Sequence, residues 1–121
     1  MGVGVGPLMR LYRPMTPQAF KALVLSLPET EEGTSFKACG KFLTRLRDED
    51  DSVVVYVDSQ DQRDMLIEAE PATFHLTDHY RNYPIVLARL SSVDPDWLRS
   101  ALTRRWSAIV PRKLAKAHAA L

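Results

Sequence analysis

Residues 34–57 have the sequence TSFKACGKFLTRLRDEDDSVVVYV, and this stretch decides the fold. Thr34–Cys39 and Lys41–Arg47 flank Gly40, a pattern that predicts two antiparallel strands joined by a tight turn. The charged run after the second strand is typical of a solvated turn. It leads into Val53–Val57, whose β-branched continuity favours a central strand. The stretch therefore predicts three consecutive strands of one antiparallel sheet.

A first helix is predicted ahead of these strands. The Thr16 hydroxyl can cap free backbone amides, and Pro17 is preorganised for the first helical position. Pro28 ends the helix because proline cannot continue one. The residues on its apolar face are Phe20, Leu23, Val24 and Leu27.

A second helix is predicted after the central strand, capped by Ser59 or Asp61 and running to about Glu70. Its inward residues are expected to be Met65, Leu66 and Ala69. The chain after Pro71 predicts two further strands, separated by a polar, aromatic loop. These strands are Thr73–Thr77 and Ile85–Leu90.

A long third helix begins at Asp94-Pro95 and runs to about Val110, and Pro111 starts a second helical segment. At about 100° per residue, Arg105 points toward the apolar sector. We expect its charged end to extend to solvent or to pair with a carboxylate. The buried face consists of Leu98, Ala101, Leu102, Trp106 and Ile109.

The order of elements predicts the fold class. Single strands and helices do not alternate as a parallel sheet requires. We therefore predict a two-layer α+β fold, with a five-stranded antiparallel sheet, helices packed on it and the order α-β-β-β-α-β-β-α. Residues 1–14, with three glycines and two prolines, predict a disordered leader. Residues 15–121 are expected to form a single domain.

Composition limits the class of protein. A chain of 121 residues with 45% hydrophobic and 26% charged residues is typical of one globular domain. Its single cysteine, Cys39, permits no internal disulfide and favours a reducing compartment. Neither a targeting pattern nor a long apolar run is found, so we expect a cytoplasmic protein that does not enter membranes.

Several short strings together carry a resemblance to a known family. They are Leu25-Ser-Leu-Pro28, Phe36-Lys-Ala-Cys-Gly-Lys-Phe42, Asp78-His-Tyr-Arg-Asn-Tyr-Pro-Ile-Val86 and the tail Trp106–Leu114. Over roughly residues 15–116 the chain resembles the MmcQ/YjbR family. The resemblance implies a two-layer domain with a five-stranded antiparallel sheet, similar to secretion-chaperone-like and double-wing arrangements. It also implies DNA binding.

Basic residues are the main candidates for a DNA-contacting surface. The net charge of the whole chain is only +1, but residues 94–121 carry six basic and two acidic residues. We expect weak, largely electrostatic binding if the candidates converge; ordinary solvated charge is the alternative interpretation. A protein- or peptide-binding adaptor is the alternative function. The candidate DNA-contacting residues are Lys37, Lys41, Arg45, Arg81, Arg112, Lys113 and Lys116.

The loop at His79, Tyr80 and Arg81 is the candidate functional loop, because the family usually has His followed by Trp or Tyr here. Its imidazole and guanidinium could hold a small anion. The alternative is that the His-Tyr pair anchors the loop to the sheet.

No other pattern predicts catalysis, a metal or a cofactor. His75 and His79 are ligand types that zinc accepts, but a strand position and a loop position do not form a helical pair. Cys39 lacks a neighbouring base, and Asp48–Asp51 lacks the ligand spacing of a calcium loop. We therefore expect a binding protein and not an enzyme.

Overall fold

The computed structural model describes residues 15–120, so the predicted leader at 1–14 lies outside the described residues. Four α-helices are present in the described part: α1 (Pro17–Leu25), α2 (Gln60–Ala69), α3 (Pro95–Ile109) and α4 (Arg112–Ala119). A 3₁₀ turn lies at Asp78–Tyr80. The strands are β1 (Thr30–Glu31), β2 (Phe36–Ala38), β3 (Lys41–Arg47), β4 (Ser52–Tyr56), β5 (Phe74–His75) and β6 (Ile85–Arg89). The α+β class is confirmed.

All neighbouring strands of the open sheet pair antiparallel, in the order β1-β2-β3-β4-β6-β5. The prediction of five strands was wrong, because a short strand β1 forms within the acidic stretch Glu29–Gly33 that follows the first helix. Thr30 pairs with Ala38, and its hydroxyl donates to the Leu27 carbonyl at 2.8 Å. Two residues in a polar turn carry no periodicity, which is why the sequence did not predict this edge strand.

The tight turn at Gly40 is confirmed and involves Cys39 as well. Cys39 has φ 51° and Gly40 has φ 79°, so both central residues of the two-residue turn are left-handed. Such a turn matches the right-handed twist of the paired strands. β2 is shorter than predicted, since it begins only at Phe36.

The central strand β4 separates two apolar clusters. Alternate residues of a strand point to opposite faces, and Val53 and Val55 belong to the main core while Val54 belongs to the second cluster. All four helices contribute side chains to the main core. The second cluster lies on the other face and contains Val54, Tyr80, Ile85 and Leu87. The fold therefore has a sheet layer and a helix layer, with a loop over part of the outer face.

The predicted helix starts are confirmed in their chemistry. The Thr16 hydroxyl accepts from the Ala19 amide at 3.0 Å, and the Ser59 hydroxyl accepts from the Gln62 amide at 3.0 Å. Of the two predicted caps of α2, the structure uses Ser59.

The predicted inward face of α2 was largely wrong. Met65 is 69% exposed and Ala69 is exposed, whereas Arg63 is buried. The Arg63 guanidinium donates to the carbonyls of Arg81 and Tyr83, both at 2.9 Å. Arg63 thereby ties the loop over the outer face to α2. These carbonyls supply the partners that a buried guanidinium requires.

The buried face predicted for α3 is confirmed. Trp106 is fully buried, and its indole N–H donates to the Pro28 carbonyl at 2.8 Å. α4 packs Leu114 and Ala115 against the main core, and the His118 ring lies 4.8 Å from the Trp106 ring. The long third helix therefore joins α1 and α4 to the same core.

Candidate functional site

Three like charges lie together on the outer face of α4. Arg112, Lys113 and Lys116 are exposed, and at about 100° per residue they fall within a sector of about 100°. Leu114 and Ala115 point away from it, into the core. Within residues 15–120, none of the three cations pairs with a carboxylate. The α4 basic face, as we call these three residues, is thus an unneutralised surface.

A shallow groove runs between the end of α3 and α4. Arg112 and Lys116 lie on the α4 side, and Ser107 and Ala108 lie on the α3 side. The remaining lining residues are Val110, Ala115 and Ala119. Small side chains on both helices leave the two cationic side chains as the dominant chemical feature of this groove.

The other predicted basic residues do not join the α4 basic face. Lys37 lies between Phe36 and Ala38, which both point into the main core, so its own side chain points to the outer face of the sheet. Arg45 is the strand partner of Val54, which also lies on the outer face. Lys37 also lines a depression together with Glu31 and Glu32. The predicted residues therefore divide between the two layers of the fold.

Two of these predicted residues have acidic neighbours. Arg45 lies 4.0 Å from the Glu49 carboxylate, and Arg81 is ion-paired with Asp78. Lys41 is exposed at the start of β3. Partial neutralisation makes this outer group a weaker anion surface than the α4 basic face.

The candidate loop forms a small aromatic pocket on the outer face. Tyr80 is buried in the second cluster, and the exposed His79 ring contacts it edge-on at 4.7 Å. Phe42, Tyr56, Tyr83 and Ile85 complete a cavity of about 220 Å³. Tyr80 therefore has the anchoring position that the sequence predicted as one alternative, while His79 faces solvent.

A polar cluster that sequence reasoning missed lies at the other end of this face. The Ser52 hydroxyl lies 2.8 Å from His75 Nε2, and Asp50 Oδ2 lies 3.8 Å from the same nitrogen. Arg47 binds the Asp50 carboxylate through Nε and Nη2 at 3.2 Å. The expectation that the whole turn is solvated was wrong for Asp50, which folds back to Arg47. His75 is distant in sequence from the other three residues, and only the register of β4, β5 and β6 brings it to them.

Burial and charge shift the pKa values in this cluster. Burial lowers the pKa of His75, and the charges of Arg89 and Arg47 lower it further against the opposing effect of Asp50. Burial alone would raise the pKa of Asp50, but the hydrogen bond and charge of Arg47, with a contribution from His75, outweigh it and lower the pKa. The Asp50 hydrogen bond raises the pKa of Arg47. The cluster therefore holds a neutral imidazole beside an ion pair.

Its geometry is not that of a nucleophilic triad. Ser52 is fully buried, and its hydroxyl donates to the Asp50 carbonyl at 3.2 Å. A hydroxyl has one proton, so the contact with His75 is satisfied when Nε2–H donates to Oγ. A general base would need the opposite arrangement, with its carboxylate on Nδ1. The cluster joins three strands and offers no accessible nucleophile.

A cleft of about 360 Å³ lies between α3, the start of α2 and the end of β4. The Arg105 guanidinium lies 3.8 Å above the centre of the Tyr56 ring and donates to the Phe42 carbonyl from Nε at 3.1 Å and from Nη2 at 2.8 Å. The guanidinium therefore bonds to a backbone carbonyl, and the carboxylate partner that the sequence analysis gave as one alternative was wrong. The other lining residues are Val57, Asp58, Gln62, Pro84, Trp97, Ala101, Arg104 and Ala108.

The described residues contain no group of three or more His, Cys, Asp or Glu side chains arranged to hold a metal ion. His75 bonds to Ser52, while His79 contacts Tyr80, so the two histidines have separate partners. Over residues 15–120, no helix is long and apolar enough to cross a membrane.

The fold and its surfaces define an α+β domain built on an open antiparallel sheet. The family model YjbR matches residues 25–108, and the chain belongs to this family. Curated relatives are the uncharacterised protein Rv2570 of Mycobacterium tuberculosis and the uncharacterised protein Mb2600 of Mycobacterium bovis, each 33% identical over 67 residues. The match covers 55% of this chain and about half of each relative (52%). No solved structure matches the chain significantly.

Proposed function

We propose that this protein is a nucleic-acid-binding module that holds a phosphate backbone weakly and electrostatically through the α4 basic face. The observation that carries the proposal is the exposure of Arg112, Lys113 and Lys116 in one sector of about 100°, without a carboxylate partner in residues 15–120. Unneutralised, clustered cations are the feature that phosphate binding requires.

The position of these charges in α4 supports a role outside helix stability. Arg112 and Lys113 occupy its first turn, which contains no acidic residue and no side-chain cap. Cations at this positive end of a helix are unfavourable, by roughly 0.3–1 kcal/mol each at an exposed site. A phosphate bound at this end of α4 would interact favourably both with the two cations and with the helix N-terminus, because helix N-termini attract anions.

The small number of cations sets the expected affinity. Non-specific DNA binding has dissociation constants on the order of 10⁻⁴ to 10⁻⁶ M at physiological salt, and with three phosphate contacts we expect an affinity at the weak end of that range. Arginine and lysine contacts to phosphate carry no direct sequence information. We therefore expect binding that is sensitive to salt and indifferent to sequence.

The adaptor alternative has less support. The large apolar side chains that are exposed in the described part are Leu25, Met65 and Tyr83, which lie on two different helices and on the loop before β6. Both edge strands of the sheet, β1 and β5, are two residues long. Residues 15–120 therefore offer a peptide neither an apolar patch nor a long free edge.

Fluorescence anisotropy with labelled duplex and single-stranded DNA, at about 20 mM and about 200 mM salt, tests the proposal. The variant Arg112→Gln/Lys113→Gln/Lys116→Gln should lose most of the binding seen at low salt. The matched control, Lys37→Gln/Lys41→Gln/Arg45→Gln, removes the same formal charge from the hairpin of β2 and β3 and should keep the DNA binding seen at low salt. Loss in the control with retention in the α4 variant would overturn the proposal.

A further inference from the structure

We infer that the cleft between α3 and the end of β4 is a binding site for a small organic anion, an aromatic ring carrying a phosphate or a carboxylate. The site lies on side chains other than the α4 basic face, so it goes beyond the proposed function. Its anion-binding group is Arg105, and its ring-binding surfaces are Tyr56 and Trp97.

The charge of the cleft is unbalanced. Arg104 and Asp58 both line it and neutralise each other, with Nη1 and Oδ2 3.1 Å apart. Arg105 is half-buried and faces a carbonyl and an aromatic ring, with no carboxylate partner in residues 15–120. A desolvated cation without a counter-ion gains more from an incoming anion than a solvated one does. The charged residues that line the cleft therefore carry one positive charge in excess.

Arg105 also has hydrogen-bond donors to spare. A guanidinium carries five N–H groups, and two of those on Arg105 are used on the Phe42 carbonyl. Both protons of Nη1 are free of any described acceptor. Because the other two nitrogens and the stacked ring fix the plane of the guanidinium, a bound phosphate or carboxylate meets a preorganised donor.

The rest of the cleft suits an aromatic body. Trp97 is partly buried, with its ring 4.9 Å from Phe74, and Pro84 and Ala101 add apolar surface. A volume of about 360 Å³ is adequate for a small ligand. An apolar wall with one fixed charge is the usual composition of a small-molecule site. A ring with a single anionic group matches both parts.

The test uses Gln62→Glu, which places a carboxylate in the cleft without removing a contact. Gln62 Oε1 accepts from the Asp58 amide at 2.7 Å, and a Glu carboxylate can accept the same bond. Glu is also favourable in the first turn of a helix, so the variant should fold as the wild type does. Gln18→Glu, on the exposed side of α1 and outside the cleft, adds the same charge as a matched control.

Binding of phenyl phosphate, benzoate and the neutral probe benzyl alcohol is measured by NMR on the full chain. The indole N–H of Trp97 reports on the cleft, and that of the buried Trp106 is the internal reference. We expect saturable shifts at Trp97 for at least one anion, at least tenfold weaker binding of benzyl alcohol, and at least fivefold weaker anion binding in Gln62→Glu but not in Gln18→Glu. The stronger of the two anions identifies the preferred headgroup.

Three results would overturn the inference: no saturable shift with either anion, equal binding of benzyl alcohol, or unchanged anion binding in Gln62→Glu. These outcomes are separate from those of the DNA experiment, because no residue of the α4 basic face is altered and no nucleic acid is present.

Discussion

Arg105 is stacked on Tyr56, with its guanidinium carbon 3.8 Å from the ring centre, at the place where β3 and β4 part. The paired register of the two strands ends at Arg45 and Val54, so the carbonyl of Phe42 has no partner from β4. Arg105 reaches from α3 and supplies two hydrogen bonds to it. A side chain of the helix layer thereby completes the hydrogen bonding of the sheet layer.

Removing this guanidinium should therefore destabilise the fold. Arg105→Met keeps much of the apolar stem but leaves the Phe42 carbonyl unpaired, and we expect a loss of about 2 kcal/mol in the free energy of unfolding. Arg104→Met is the control, since its partner Asp58 is exposed and such a pair contributes less than about 1 kcal/mol. Urea denaturation of both variants measures the difference; equal losses would contradict the role assigned to Arg105.

A second prediction concerns the loop over the outer face, which Arg63 holds through two carbonyls. Arg63→Met should cost about 2–3 kcal/mol in the free energy of unfolding, because hydrogen bonds from a charged donor are lost. Amide hydrogen exchange should accelerate at residues 78–83. Met65→Gln, at an exposed position of the same helix, should change neither quantity. Unchanged exchange in Arg63→Met would show that the loop is held by Tyr80 alone.

The hairpin turn offers a stabilising substitution. Cys39 is exposed and left-handed, a conformation that Asn adopts more readily than Cys. Cys39→Asn creates an Asn-Gly turn and should raise the free energy of unfolding by roughly 0.5 kcal/mol, within the range seen when backbone preference matches the fold. Gly40→Ala is a control with the opposite expected effect. Because Gly40 has φ 79°, which is unfavourable for alanine, this variant should lower the free energy of unfolding by about 1 kcal/mol. Destabilisation by Cys39→Asn, seen as a lower thermal midpoint, would refute this account of the turn.

The cluster of Asp50 and His75 predicts how stability depends on pH. The lowered pKa of His75 means that the unfolded chain binds a proton more readily, so stability should fall as pH drops below about 6.5. The lowered pKa of Asp50 adds a second loss as pH falls below about 3.8. Denaturation midpoints between pH 8 and pH 3 measure both. His75→Gln should abolish the loss of stability below about pH 6.5 and keep the loss below about pH 3.8. If the loss below about pH 6.5 stayed the same in this variant, a group other than His75 would be its cause.

Much of the fold could be predicted from local patterns. The strand β3 occupies the predicted residues, and the apolar faces of α1 and α3 are confirmed, because proline, cap residues and helical periodicity are local signals. β1 was missed because two polar residues pair only through a distant neighbour. Arginine is usually expected at the surface, and the burial of Arg63 could not be predicted, because the carbonyls that permit it lie about 20 residues away in sequence.

The sites were harder to predict than the fold. Arg112, Lys113 and Lys116 are close in sequence and share one helix face, so their clustering could be predicted. Lys37 and Arg45 lie on the other layer, and this follows from strand register, which one sequence does not define. The cleft at Arg105 requires three elements that are separate in sequence. Long-range pairing therefore limits what residue patterns reveal about binding.

The most direct test of the proposed function is the salt dependence of DNA binding, plotted as log K against log salt for the wild type and the α4 variant. Three phosphate contacts predict a wild-type slope near −2.7 on duplex DNA, from about 0.9 per contact. Arg112→Gln/Lys113→Gln/Lys116→Gln should bring the slope close to zero. The same slope in both proteins, or no wild-type binding at about 20 mM salt, would contradict the assignment of nucleic-acid binding to α4.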